Sequence, residues 1–138
     1  MKEFNFIING GGCSGLSLAY EMEKRGILNK KKLAIIDIRK NYTRDKTWSF
    51  WKINDHDFND CVIKTWNTFT ISTKGKSNRI NTKDQPYQSV DSGLFYKKIN
   101  EKLSKNKNIE FFKNIDEVDK RNSIIFNSVP REKINKDE

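Results

Sequence analysis

Residues 4–26 read FNFIINGGGCSGLSLAYEMEKRG, and this stretch decides the fold of the chain. The apolar run in residues 4–9 is short and stops at a glycine cluster, which predicts a buried strand. From Cys13 to Arg25 the apolar residues recur at helical spacing, and Gly26 is well suited to end a helix. A second apolar run, LAIID at 33–37, completes a β-α-β unit with two parallel strands.

The turn between the first strand and the helix contains three glycines in the spacing GxGxxG. Gly10 allows a tight exit from the strand, Gly12 allows close approach of a pyrophosphate, and Gly15 allows the helix to lie close to the sheet. A helix N-terminus carries unpaired N–H groups and a partial positive charge, so it can hold a diphosphate without a lysine. Cys13 and Ser14 therefore join the three glycines as candidate cofactor-binding residues.

A carboxylate, Asp37, ends the second strand 22 positions after Gly15. At this place it can accept hydrogen bonds from an adenosine ribose, and it would repel a ribose 2′-phosphate, so NADP is disfavoured. Arg39, two residues later, is a further candidate for cofactor binding. The missing Gly-Lys-Ser/Thr excludes a P-loop. The alternative is a purely structural glycine turn.

The remaining pattern predicts a β excursion and then a return to the α/β unit. Residues 43–51 are expected to form an ordered loop with a short strand. Residues 62–72 and 78–82 predict an antiparallel hairpin with its turn at 74–76. A second helix, opened by Asp91 or Ser92, should bury one face, and two strands, 109–112 and 124–126, should close the domain. The face consists of Leu94, Phe95, Ile99 and Leu103. The predicted domain covers residues 1–130, and residues 131–138 form a charged, disordered tail.

Composition limits the class of protein. The 138 residues are 35% hydrophobic and 33% charged, which fits one soluble domain. The formal charge of +9 would suit a nucleic-acid partner, but the lysines are spread along the chain, so we expect a solvated basic surface and no nucleic acid. The sequence has neither a long apolar run nor a signal peptide, which predicts a cytoplasmic protein, with association at the membrane periphery as the alternative.

Few side chains suggest other chemistry. Cys13 and Cys61 have no CxxC spacing, so both are expected to be reduced and structural. The one histidine, His56, lies among loop carboxylates without a second ligand, which predicts a solvated side chain and no metal site. The loop carboxylates do not form an acid/base pair.

The glycine motif, extended by Ala19 and Gly26 and closed by Asp37, resembles the N-terminal motif of FAD-binding flavoproteins with a glutathione-reductase-like cofactor domain. More specifically, GGGCSGLSLAYEM, LAIID and then RDKTWSFW at 44–51 resemble the start of the lycopene cyclase family. The matching positions of the last block are Asp45, Lys46, Thr47, Trp48, Phe50 and Trp51. IIFNSVP at 124–130 is similar to a later strand of that family.

This resemblance implies FAD as cofactor and a three-layer, Rossmann-like α/β fold, of which the chain carries an incomplete, N-terminal portion. Thr47 and Trp48 would then join the cofactor site. The implied reaction is a non-redox cyclisation: a carboxylic acid protonates the end of a lycopene-like carotenoid, the cation closes a ring and a proton leaves. Reduced FAD would stabilise the positive charge, and the aromatic block could face the polyene or the cation.

No catalytic acid can be assigned, so the catalytic residues stay unknown and enzymatic activity would require missing sequence or a downstream partner chain. Two alternatives stay open. One is another FAD-dependent monooxygenase or reductase. The other is a non-catalytic module that binds through its basic surface.

Overall fold

The structure is a computed structural model, and it describes residues 1–39 and 41–129. The chain divides into two compact units. Unit 1 comprises Met1–Asn41 and Ile99–Glu138, and unit 2 comprises Tyr42–Lys98. The predicted charged tail, residues 131–138, lies outside the described residues, and the assignment of 1–130 to one domain stays a prediction.

Unit 1 is built on a four-stranded sheet in which all neighbouring strands are parallel. Its strands are β2 (Phe6–Asn9), β3 (Leu33–Ile36), β9 (Ile109–Phe112) and β11 (Ile124–Asn127). They lie in the order β11-β2-β3-β9. A separate parallel pair joins β1 (Lys2–Glu3) to β10 (Val118–Asp119). Short 3-10 helices cover Ile27–Asn29 and Ile115–Glu117.

The central strands are apolar because both of their faces are covered. Ile7 and Ile8 in β2 and all four residues of β3 are buried, which explains why these strands show continuous apolar runs instead of alternation. Helix α1 (Cys13–Lys24) buries Leu16 and Ala19 at helical spacing. It ends before Gly26, whose φ of 69° lies in the left-handed region that favours glycine.

Unit 2 contains an antiparallel three-stranded sheet and a separate hairpin. The strands are β4 (Thr47–Trp51), β5 (Val62–Trp66), β6 (Thr68–Thr73), β7 (Lys76–Asn81) and β8 (Tyr87–Asp91). The sheet has the order β4-β8-β5, and β6 and β7 form the hairpin. A 3-10 helix covers Asn59–Cys61, and α2 (Ser92–Leu103) follows β8 directly. The division between the two units falls inside α2.

The Rossmann-like α/β class is confirmed, and so are the first strand, α1, the second strand and the two closing strands. The short strand expected within 43–51 is also present as β4. The prediction of a single strand over 62–72 is wrong, because two strands flank Asn67. The first, β5, pairs with β8, and the second, β6, forms the hairpin with β7. In α2, Leu94 is 45% exposed and does not share the buried face of Phe95 and Ile99.

Candidate dinucleotide-binding site

The candidate site lies where the parallel strands of unit 1 end, because the carboxyl ends of parallel strands meet at one edge of the sheet. After β2 the glycine turn is held by its neighbours on both sides. The Gly10 N–H donates to the Ile36 carbonyl at 2.9 Å, and the Ser128 N–H donates to the Asn9 carbonyl at 2.8 Å. The Ser128 hydroxyl also donates to the Gly10 carbonyl at 2.9 Å. The turn is thereby fixed to β3 and to the end of β11.

The absence of a side chain serves a different purpose at each of the three glycines of the motif. Gly10 has φ of 113°, and a Cβ there would lie 2.6 Å from the Ser128 hydroxyl oxygen. A Cβ on Gly15 would lie 2.0 Å from the Gly10 carbonyl oxygen, so this glycine allows α1 to pack against the turn. A Cβ on Gly12 would meet no atom within 4 Å. The space in front of Gly12 is therefore open, as approach of a phosphate requires.

Helix α1 presents its N-terminus to this open space. Gly12 is the N-cap residue and forms no side-chain cap, and the first turn contains no acidic residue. The first N–H groups of a helix have no partner within it, so those of Cys13 and Ser14 can bind an anion. Burial raises the pKa of the Cys13 thiol, although its hydrogen bond with Ser17 partly opposes this, so the thiol stays neutral and does not repel a phosphate.

Asp37 and Arg39 form one unit at the end of β3. The Arg39 guanidinium lies 2.7 Å from one carboxylate oxygen of Asp37 and 3.1 Å from the other. The same guanidinium donates to the Gly11 carbonyl at 2.8 Å, which ties the glycine turn to the carboxylate. The sequence indicated both residues but not this contact between them. Arg39 adds a positive charge next to the turn.

A cavity of about 650 Å³ opens among these strand ends. It is lined by Asn9, Gly10, Gly11, Gly12, Ile36, Asp37, Ile38, Arg39, Lys113, Asn114, Ile115, Ser128 and Val129. The sequence analysis missed Lys113, Asn114 and Ser128. Their positions directly after β9 and β11 were the available signal, since residues that follow parallel strands gather at this edge.

Thr47 and Trp48, also predicted as cofactor residues, lie in β4 of unit 2. Trp48 packs edge-to-face against Phe95 and Tyr96, with ring centroids 5.0 and 5.4 Å away. Thr47 is exposed and pairs with Asp91 of β8. Within unit 2, Trp48 is thus a packing residue, and a role for either residue in binding the cofactor stays a prediction.

Outside the cavity, few of the described side chains are candidates for catalysis or metal binding. Cys61 is buried and its pKa is raised to about 11, first by burial and then by the neighbouring Asp60 carboxylate. His56 is half-buried instead of solvated, because its Nε2 hydrogen-bonds to Gln88 at 3.0 Å and its Nδ1 accepts from the Phe58 N–H. Among residues 1–39 and 41–129, His, Cys, Asp and Glu form no cluster that could hold a metal ion. No helix in the described ranges is long and apolar enough to cross a bilayer.

Comparison with known proteins supports the fold and identifies the family. The fold is similar to the crystal structure of pqsL, a probable FAD-dependent monooxygenase from Pseudomonas aeruginosa, with a TM-score of 0.58 and 12% identity over 81% of this chain. A mutant of the same protein gives a TM-score of 0.59 and 14% identity, also over 81% of this chain. The chain spans 33% and 34% of those two structures.

A search of curated protein sequences found no match. The sequence pattern of the family described as lycopene cyclase protein, in contrast, matches residues 5–127, nearly the whole described chain. This match includes the glycine turn, the Asp37 strand and the aromatic block of β4. The chain therefore belongs to the lycopene cyclase protein family.

Proposed function

We propose that this chain binds the ADP part of FAD and is the cofactor-binding portion of a lycopene-cyclase-like flavoprotein. The observation that carries the proposal is the open space in front of Gly12, at the N-terminus of α1 and beside Asp37. A glycine needed only for its backbone conformation would have a positive φ, whereas Gly12 has φ of −79°. Its missing side chain leaves room for a ligand.

The residues present fit the ADP group. The N–H groups at Cys13 and Ser14 and the charge of Arg39 would hold the pyrophosphate. The Asp37 carboxylate already accepts from the Arg39 backbone N–H and guanidinium, so it would accept from the ribose by exchanging or sharing one of these hydrogen bonds. Lys113 lines the same cavity and would add positive charge near the phosphates.

The proposed reaction is the cyclisation of a lycopene-like carotenoid, without net redox. The family membership supports this proposal, and bound reduced FAD would supply stabilisation of positive charge. Trp48 is packed against α2, and the ring centroids of Phe50 and His56 lie 5.2 Å apart. Of the three aromatic residues that the sequence suggested for a polyene, Trp51 is the most exposed, with 42% of its surface accessible.

FAD-dependent oxygenation is the second candidate, since the fold resembles that of pqsL. The two candidates differ in their demand for electrons. A cyclase returns its cofactor unchanged, whereas a monooxygenase consumes reducing equivalents and oxygen with each turnover. Oxygen uptake that depends on the carotenoid, in the reconstituted protein, would favour the second candidate.

Titration calorimetry with ADP tests the cofactor proposal without requiring turnover. We expect ADP to bind, and an ADP that carries a 2′-phosphate to bind more weakly, because Asp37 would repel the extra charge. Gly12→Val should lower the affinity for ADP by about tenfold or more, since its side chain would fill the space that the phosphate needs. Asp37→Asn should have a smaller effect, because an amide still accepts one hydrogen bond.

Gly12→Ala serves as the matched control, because it adds the smallest side chain at the same position and should give an intermediate loss. Thermal unfolding of the two Gly12 variants should be nearly unchanged, because a Cβ at Gly12 contacts nothing. The proposal fails if wild type does not bind ADP, or if Gly12→Val binds it as tightly as wild type does.

A further inference from the structure

Asn9 is the only asparagine in the sequence that is followed by a glycine. Glycine has no side chain to hinder its backbone nitrogen, so an Asn-Gly pair is the dipeptide in which that nitrogen most readily attacks the asparagine side chain. Asn9 is the last residue of β2, and it is half-buried and lines the cavity at the glycine turn. The chain therefore carries a reactive pair of residues at the candidate dinucleotide-binding site.

The folded chain holds this pair in an unreactive geometry. Asn9 is part of an extended strand and pairs with Ile36 on one side and with Asn127 on the other. The Gly10 N–H donates to the Ile36 carbonyl at 2.9 Å, and the Asn9 carbonyl accepts from the Ser128 N–H at 2.8 Å. Attack requires the Gly10 nitrogen to leave its hydrogen bond and Asn9 to leave the extended conformation. The reaction can therefore proceed only when the turn opens.

The side-chain amide of Asn9 also has a specific place in the fold. Its Nδ2 donates to the Asn127 Oδ1 at 3.1 Å, and the Val129 N–H donates to the same oxygen at 3.4 Å. A carboxylate at position 9 would have no hydrogen to donate, and its oxygen would face the Asn127 oxygen. Conversion of the amide to a carboxylate would thus remove a contact between β2 and β11 and add a negative charge to the cavity.

We propose that Asn9 is a site of spontaneous deamidation whose rate is controlled by local opening of the glycine turn. The Gly10 nitrogen loses its proton and forms a bond to Cγ of Asn9, the bond from Cγ to Nδ2 breaks, and ammonia leaves with that proton. Water then opens the five-membered imide at either carbonyl, which yields aspartate or isoaspartate. The net change is an amide and water to a carboxylic acid and ammonia, without oxidation or reduction.

The consequence for the dinucleotide site rests on the proposed function. A carboxylate next to the glycine turn would repel the pyrophosphate, and an isoaspartate would also lengthen the backbone between residues 9 and 10 by one atom. Bound ADP should in turn slow the reaction, because a ligand that binds only the closed turn lowers the population of the open one. With ADP at ten times its dissociation constant, we expect the rate to fall about tenfold.

Peptide mapping by mass spectrometry, after incubation of the full chain at mildly alkaline pH, follows the reaction at each asparagine. In guanidinium chloride we expect Asn9 to be converted before any other asparagine. In the folded chain its conversion should be at least about tenfold slower, because only the open fraction reacts. Asn9→Gln is the chemical control: its longer side chain would have to form a six-membered ring, so position 9 should stay unmodified over the same period.

Two serine variants test whether a local opening controls the rate. Ser128→Ala removes the hydroxyl that donates to the Gly10 carbonyl at 2.9 Å, and it should speed deamidation of Asn9 in the folded chain about fivefold. Ser123→Ala is the matched control, because it removes a similar bond, to the Phe4 carbonyl at 2.7 Å, beyond the opposite end of β11. We expect this control to leave the rate nearly unchanged.

Titration calorimetry with ADP measures the effect of the product. Asn9→Asp, which places the carboxylate directly, should bind ADP about tenfold more weakly than wild type does. Asn122→Asp makes the same change of charge at an exposed position that precedes β11, at the end far from the cavity, and it should bind nearly as tightly as wild type. Circular dichroism establishes that each variant is folded.

Three outcomes would overturn the proposal. One is faster conversion of another asparagine in guanidinium chloride. Another is an equal rate at Asn9 in the folded and the denatured chain, and the last is equal acceleration by Ser128→Ala and Ser123→Ala, which would indicate global unfolding. If wild type does not bind ADP, the cofactor proposal fails, whereas these rates still decide the proposal for Asn9. Equal affinity of wild type and Asn9→Asp for ADP would contradict the stated consequence alone.

Discussion

Gly12 and Gly15 lie three positions apart in the same motif, yet replacing them should have different consequences. We expect weaker ligand binding for Gly12 and lower stability for Gly15. A side chain on Gly12 would enter open space, whereas a Cβ on Gly15 would lie 2.0 Å from the Gly10 carbonyl oxygen and 2.9 Å from an Ile8 methyl group. Neither residue has a positive φ. At Gly12 the missing side chain leaves room for a ligand. At Gly15 the room is taken by the protein's own backbone.

We expect Gly15→Ala to lower the free energy of unfolding by about 1–3 kcal/mol, because backbone atoms cannot move aside as a flexible side chain can. Chemical denaturation, followed by circular dichroism, measures this change. Gly12→Ala is the matched control and should unfold at nearly the same denaturant concentration as wild type. Equal stability of the two variants would contradict the assignment of Gly15 to helix packing.

The buried thiol of Cys61 leads to a prediction about pH. Its pKa is raised from 9.0 to about 11, first because it is buried, so the folded state favours the neutral thiol. The resulting stabilisation is fully present below pH 9 and is lost as the pH rises through about 11. We expect Cys61→Ala to show a smaller fall in thermal stability over this interval than wild type. Comparison of the two proteins well below pH 9, where the Cys61 thiol is neutral in both states, is the control for other effects of the substitution.

At the scale of single residues, the sequence predicted the groups with local signatures. The glycines and Asp37 were identified because strand, turn and helix give each of them a fixed place in the motif. Ser128 was missed, although its hydroxyl holds the glycine turn through the Gly10 carbonyl. It lies 118 residues away in sequence, and no local pattern relates it to Gly10.

Among the elements, α2 shows how one side chain can begin a helix. Asp91 is the last residue of β8, and its carboxylate accepts a hydrogen bond from the Leu94 N–H at 3.0 Å. The same carboxylate is ion-paired with Arg44, whose side chain is largely exposed. Capping of the helix N-terminus is the contribution that we expect to dominate, because an exposed arginine partner is screened by water.

Asp91→Ala should therefore lower the free energy of unfolding by about 1 kcal/mol, within a range of roughly 0.5–2 kcal/mol. Asp91→Asn keeps an oxygen that can cap the helix and loses the charge, so it separates the two contributions. We expect Asn to retain most of the stability, as measured by urea denaturation. A loss with Asn as large as that with Ala would assign the effect to the ion pair with Arg44 instead.

The strands that the sequence predicted correctly are those whose limits are set locally. In β2 and β3 the apolar run ends at a glycine or a carboxylate, and the parallel pairing follows from the intervening helix. The break between β5 and β6 has no glycine or proline to mark it, since the residue there is Asn67. It follows from pairing with a distant strand: Trp66 lies opposite Tyr87 of β8, whereas Thr68 lies opposite Asn81 of β7.

For the whole molecule, the question is whether residues 1–138 contain what cyclisation requires. Protonation of an unactivated double bond needs a carboxylic acid that keeps its proton until the polyene is bound, in a site that excludes water. The least exposed carboxylates of the described ion pairs are Asp37, Asp91 and Asp119, and each lies within 2.5–2.7 Å of an arginine. For Asp119, the hydrogen bonds from Arg121 hold the pKa at about 2.

We therefore expect that this chain, expressed alone in a host that accumulates lycopene, yields no cyclic carotene above the empty-vector control. A carboxylate next to a guanidinium accepts hydrogen bonds and is a poor source of protons, and the carboxylates of Asp55 and Asp60 are exposed and paired with lysines. Positioning and electrostatic preorganisation account for most of the rate of such steps, and a solvated aspartate offers neither. Chromatography of the extracted pigments measures the outcome. Cyclic product from this chain alone would contradict the argument, whereas product that appears only with a second, co-expressed family segment would assign the acid to that segment.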